Sequence, residues 1–202
     1  MRTPKAVPTG AFAVLMAVAA LVVVSGCGGG GGAGGTTVSG FVYDDSTLGG
    51  VSGAQVSVGG KSTTTSASGA FTLTSVPVGT RTLVVTKTSY QLLSTSFTAV
   101  AGATGLGPVY LRPQLTPGKG VVIGTVQDAG VPVPGAAVIG GGKTAVTKSD
   151  GTFAIYSLPP GDTVVTAQSG VKLGRNHVIV VQDTTVSVSV GLSFSPPLPP
   201  TI

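Results

Sequence analysis

The chain has 202 residues, of which 33 are glycine, 14 are proline and only 8% are charged. One histidine (His177), one cysteine (Cys27) and no glutamate leave no two-histidine zinc hydrolase and no intrachain disulfide to be built from it. The formal charge of +5 comes from scattered bases, without the basic stripe and stacking aromatics of a nucleic-acid surface, so no nucleic-acid partner is expected.

The first ten residues carry Arg2 and Lys5 and no acid, and Ala11 to Val24 is then an unbroken apolar run of 14 residues. A positive head before a run too short to span a bilayer reads as a secretory signal over residues 1–26. The run ends in Val24-Ser25-Gly26-Cys27, which resembles the bacterial lipobox. That resemblance implies a diacylated Cys27 as the mature N-terminus; the alternative is ordinary secretion with Cys27 as a spare thiol. Several acyl chains anchor stably where one does not. Residues 27–36 then form a glycine-rich tether, since a tract such as Gly28 to Gly35 builds no core and behaves as a flexible coil. Glycine rather than aspartate after the cysteine resembles lipoproteins sent to the outer membrane. The implied address is export across the inner membrane and lipid anchoring in the cell envelope, at the outer membrane where two membranes exist.

An internal repeat follows. Val38-Ser-Gly-Phe-Val-Tyr-Asp44 returns as Val122-Ile-Gly-Thr-Val-Gln-Asp128, and Gly53-Ala-Gln-Val56 returns as Gly135-Ala-Ala-Val138. Ser68-Gly-Ala-Phe71 matches Asp150-Gly-Thr-Phe153, and Val76-Pro-Val-Gly79 matches Leu158-Pro-Pro-Gly161. The offset is 82 from Gly53 through Gly79 but 84 at Gly40, so the loop Asp44–Ser52 is two residues longer in the first copy.

Within each copy the pattern has period two. Val186, Val188 and Val190 alternate with serines, and Ala54, Val56 and Val58 alternate with Gln55 and Ser57. One face of such a strand meets a core and the other meets water. Short strands separated by turn residues at spacings of roughly 8–12 predict a sandwich or barrel, with about seven strands per copy. Ala67-Ser68-Gly69 and Ser149-Asp150-Gly151 read as tight hairpins, Phe71 and Phe153 as core aromatics, and Pro77 and Pro159-Pro160 as strand stops. Gly40 and Gly124 inside strands predict a close approach or a bulge. Every interior is expected to be plain hydrocarbon.

This order of motifs, V-x-G-x-V-x-D, P-G-A-x-V, D-G-x-F and L-P-P-G, resembles the carboxypeptidase regulatory-like domain. The fold implied is all-β: two tandem seven-stranded prealbumin-like β-sandwiches over residues 37–112 and 120–192, joined by a proline-containing linker 113–119 and trailed by a proline-rich tail 193–202. Residues 120–191 follow the pattern well. Residues 37–112 depart from it, with Ser52, Ser68 and Val78 standing where Pro134, Asp150 and Pro160 do.

The chemistry-bearing residues are few. His177 has no second histidine beside it and reads as a surface residue. Asp44, Asp45 and Asp150 lack the spacing of a calcium loop and read as turn caps. No catalytic residue, metal site or cofactor is expected. Sugar stacking needs exposed aromatics, which leaves Tyr43, Tyr90, Tyr110 and Tyr156 as possible ligand contacts. The functional expectation is a non-catalytic, lipid-anchored envelope protein with a structural or protein-interaction role. Its partners are then the membrane, through the anchor, and an envelope protein; the alternative is a carbohydrate-binding module docking to cell-wall or extracellular glycan.

Overall fold

The computed structural model describes residues 35–194. The apolar run, Cys27 and the tail from Ser195 onward lie outside the described residues. Every regular element described is a β-strand. The first set comprises β1 (Thr36–Asp44), β2 (Gln55–Val58), β3 (Lys61–Thr64), β4 (Ala70–Val76), β5 (Gly79–Thr86), β6 (Leu93–Ala99) and β7 (Ala103–Leu111). The second comprises β8 (Gly120–Asp128), β9 (Val131–Pro132), β10 (Ala137–Gly140), β11 (Lys143–Val146), β12 (Thr152–Leu158), β13 (Gly161–Ser169), β14 (Lys172–Val180) and β15 (Thr185–Phe194). The additional strand is the two-residue β9, whose place in the first set is held by an isolated bridge between Tyr43 and Gly50. The last strand runs on to Phe194, past the expected start of the tail.

In the first set the strand orders are β4-β1-β7 and β3-β2-β5-β6. The pair β1/β7 is parallel and the others are antiparallel. The second set repeats this as β12-β8-β15 and β11-β10-β13-β14, with β8/β15 parallel. There the two layers also join along one edge, where Lys172 and Leu173 pair with Phe194 and Ser193.

Each set encloses its own core, and period two decides which residues enter it. Val38 and Val42 meet Val56, Leu83, Val85 and Val109 in one core, and Val122 and Val126 meet Val138, Val165, Val178 and Val190 in the other. Phe71 and Phe153 are 4% and 2% exposed, as their positions predict. Each ring lies over the glycine registered opposite it: Phe71 over Gly40 and Phe153 over Gly124. A Cβ on Gly124 would stand 2.7 Å from the Phe153 ring, so the in-strand glycine answers a close approach. Ser75 and Ser157 take the same left-handed backbone, with φ of 57° and 58°, where β4 and β12 slip register against β1 and β8.

Two expectations change. The turns at Ser66–Gly69 and Lys148–Gly151 are closed by hairpin-like hydrogen bonds, yet the strands they connect do not pair with each other and part at once into different layers. These turns lead the chain from one layer to the other, which local sequence does not distinguish from a hairpin. Nor are the interiors plain hydrocarbon. Thr65 and Thr147, at equivalent places, are 5% and 1% exposed. The Thr65 hydroxyl donates to the Val51 carbonyl (2.5 Å) and accepts from the Ala54 N–H (2.8 Å). Thr147 does the same with Val133 (2.6 Å) and Ala136 (2.7 Å). Each threonine thus satisfies two backbone groups of the segment entering β2 or β10.

Candidate interaction site

The four tyrosines occupy three different environments. Tyr43 and Tyr110 are register partners on β1 and β7, half-buried on the outer face of the sheet β4-β1-β7. Their ring centroids are 6.3 Å apart. Phe41, two residues before Tyr43 and therefore on the same face, is 46% exposed, with its ring 6.0 Å from that of Tyr43 and nearly parallel to it. Burial, then the negative charges of Asp150 and Asp45 and the neighbouring Tyr43, push the Tyr110 hydroxyl up from the ordinary tyrosine range. Phe41 was legible only as a strand residue; its outward place follows from Val38, Gly40 and Val42 taking the inward one.

The equivalent face of the second set carries Thr125, Gln127 and Gly191 at the places of Phe41, Tyr43 and Tyr110. Among the described residues, this exposed aromatic cluster therefore has no counterpart on β8 and β15.

Tyr90 serves a different purpose. Its hydroxyl donates to Asp44 Oδ2 at 2.9 Å, and its pKa is pushed up to about 12 by burial, by that hydrogen bond and by the Asp44 charge. The other Asp44 oxygen accepts from the Ser46 and Thr47 N–H groups, each at 2.8 Å, so Asp44 caps its turn as expected. In the second set Lys172 stands at the place of Tyr90 and pairs with Asp128, the counterpart of Asp44. A carboxylate ending the opening strand is thus tied to the start of the β6-equivalent region in both copies, by phenol in one and ammonium in the other. Beside Tyr90 lies an open groove of about 500 Å³, lined in part by Gln55, Lys87 and Leu92.

Tyr156 is buried, at 9% exposure, and its hydroxyl donates to Asp45 Oδ2 at 2.5 Å. Burial first, then the Asp45 charge and hydrogen bond, push this phenol far up, so it stays a neutral donor. The other Asp45 oxygen is 2.5 Å from Lys148 Nζ, which also stands 4.9 Å from the centroid of the Tyr110 ring. Asp45 is therefore not a turn cap: it is 5% exposed and ion-paired. Asp150 does cap its turn, accepting from the Thr152 N–H and hydroxyl. Partial burial opposes its charge, but the Thr152 bonds and the Lys148 charge outweigh this and hold its carboxyl below the usual range.

His177 is exposed on β14, 3.4 Å from Asp162. Among the described residues no three His, Cys, Asp or Glu side chains gather as metal ligands.

Residues 37–107 match the carboxypeptidase regulatory-like domain. The regulatory-like match thus runs from β1 into β7 and includes Tyr43 and Tyr90. It falls on the copy that follows the motif pattern less closely. No curated protein matches the chain. Similar solved structures include a chain of a type II cohesin–X–dockerin complex from Acetivibrio cellulolyticus, at 26% identity over 38% of this chain and 57% of that one, with a TM-score of 0.35. The Bacillus anthracis TIE protein aligns at 15% identity over 78% of this chain and 34% of that one, with a TM-score of 0.35. A streptococcal ancillary pilin aligns at 14% identity over 78% and 62%, with a TM-score of 0.34. The chain spans less than two-thirds of each of these three.

Proposed function

We propose that this protein is a non-catalytic component of the cell envelope, held to a membrane through lipidated Cys27, with residues 37–112 and 120–192 as two sandwich domains that bind another envelope protein. In a two-membrane cell its place is the outer membrane. The observation that carries the interaction role is the aromatic face of Phe41, Tyr43 and Tyr110. Aromatic residues are enriched where protein surfaces meet, because they give large contact area at low entropic cost. The charge-bearing residues near it are engaged in turns and ion pairs, which suits a surface made for contact.

A second reading, a carbohydrate-binding module, is favoured by the same rings, since exposed tyrosines also stack on sugars.

One experiment separates these. Tagged full-length protein is recovered from detergent-solubilised membranes, as wild type, as Cys27→Ser and as Phe41→Ala/Tyr43→Ala. Wild type is expected in the membrane fraction with a stoichiometric protein partner. Cys27→Ser is expected as an unprocessed or soluble product with no acyl label, and the double variant stays in the membrane fraction but loses the partner. A partner retained by the double variant contradicts the protein-interaction reading. Glycan-array binding that the same double variant abolishes, with no protein captured, establishes the second reading instead.

A further inference from the structure

We propose that the loop Asp44–Ser52 is a latch that locks the two strand sets into one rigid body. The contact it makes is specific. Asp45 receives Lys148 and Tyr156 from the second set, each at 2.5 Å. The carbonyl of Ser46 accepts the N–H of Val146 at 2.8 Å, which occupies a backbone donor on the free edge of β11. The ring of Tyr110 lies 4.9 Å from Lys148 Nζ.

Comparison of the copies shows that the joint is built once. The latch loop is where the first copy exceeds the second by two residues. The residue after Asp128 is Ala129, so the second set has no acid at the place of Asp45. At the 82-residue offset, Lys148 and Tyr156 correspond to Ser66 and Thr74. Burial differs in the same sense: Thr72 and Thr74 on the outer face of β4 are exposed, whereas Ala154 and Tyr156 on the outer face of β12 are 4% and 9% exposed. The sheet face that is open in the first set is thus closed in the second, on the side where the latch arrives. Lys148 and Tyr156 compensate the buried Asp45 carboxylate, so an arrangement that keeps it buried without them is disfavoured. The inference does not depend on the partner's identity.

The test uses the full chain with Ser62→Cys and Arg175→Cys, one exposed strand position on each set, spin-labelled in a Cys27→Ser background. Pulsed electron-resonance distances are recorded for this parent and for added Asp45→Ala, Lys148→Ala and Asp162→Ala, the last an exposed aspartate outside the latch. A single narrow distance is expected in the parent and in Asp162→Ala, and its loss into a broad distribution in Asp45→Ala and Lys148→Ala. Circular dichroism separates release from unfolding. If Asp45→Ala unfolds, the more exposed Lys148→Ala and the milder Tyr156→Phe decide. A broad distribution in the parent, or a narrow one preserved in folded Lys148→Ala and Tyr156→Phe, overturns the latch.

Discussion

Phe153→Ala is expected to lower the stability of the protein by about 3–5 kcal/mol, the range for truncating a buried aromatic ring. The ring is 2% exposed and lies against Gly124 on the neighbouring strand. Val122 and Ile155 from the same sheet and Val138 and Val165 from the opposite one belong to the same core. The glycine has no side chain with which to fill the void, and its strand is fixed by β12 on one side and β15 on the other. The site therefore collapses poorly, which puts the cost toward the upper end of the range. Urea denaturation of wild type and variant measures it. A loss below about 1 kcal/mol would mean that the ring is not the core element its position indicates.

Thr147→Val is the second large effect, and it runs against the intuition that valine suits a core. Valine keeps the shape but removes a hydroxyl that serves the Val133 carbonyl and the Ala136 N–H. Each buried backbone group left without a partner costs about 1–3 kcal/mol, so the pair is expected to cost about 2–6 kcal/mol. Thr147→Ser keeps both bonds and loses a methyl group, at about 1 kcal/mol. Thermal unfolding of the two variants distinguishes these outcomes. A valine variant as stable as the serine one would remove the hydroxyl from the account. Thr65 in the first set carries the same expectation.

Much of the fold was legible because its determinants are local. Alternating valines fix which face of each strand turns inward. The repeat offset placed Phe71 and Phe153 at the same site, and Gly40 and Gly124 marked a close approach or a bulge without showing which ring lies against them. Tyr156 and Asp45 could not be joined in the same way. They are 111 residues apart and lie in different strand sets, so neither periodicity nor motif spacing relates them. The two-residue excess in the Asp44–Ser52 loop was visible, but its consequence required knowing what lay across from it. Thr65 and Thr147 look like any strand-end threonine, since threonine is common on water-facing strand positions. A threonine repeated at the 82-residue offset, eleven residues after the alanine of S-G-A or P-G-A, was the one available signal. The aromatic face was legible in part: Tyr43 and Tyr110 were singled out, but their adjacency depends on the parallel pairing of β1 with β7, which no hairpin rule supplies.

The proposed role turns on whether the face of Phe41, Tyr43 and Tyr110 meets a protein in the cell. A photo-crosslinking phenylalanine placed at Phe41 keeps the aromatic character of that face, and the same group at Ile179, which is 69% exposed on β14, serves as the reference. Irradiation of intact cells is expected to yield one discrete, heavier protein adduct from position 41 and none from position 179. No adduct at 41, or the same adducts from both positions, would contradict the assignment.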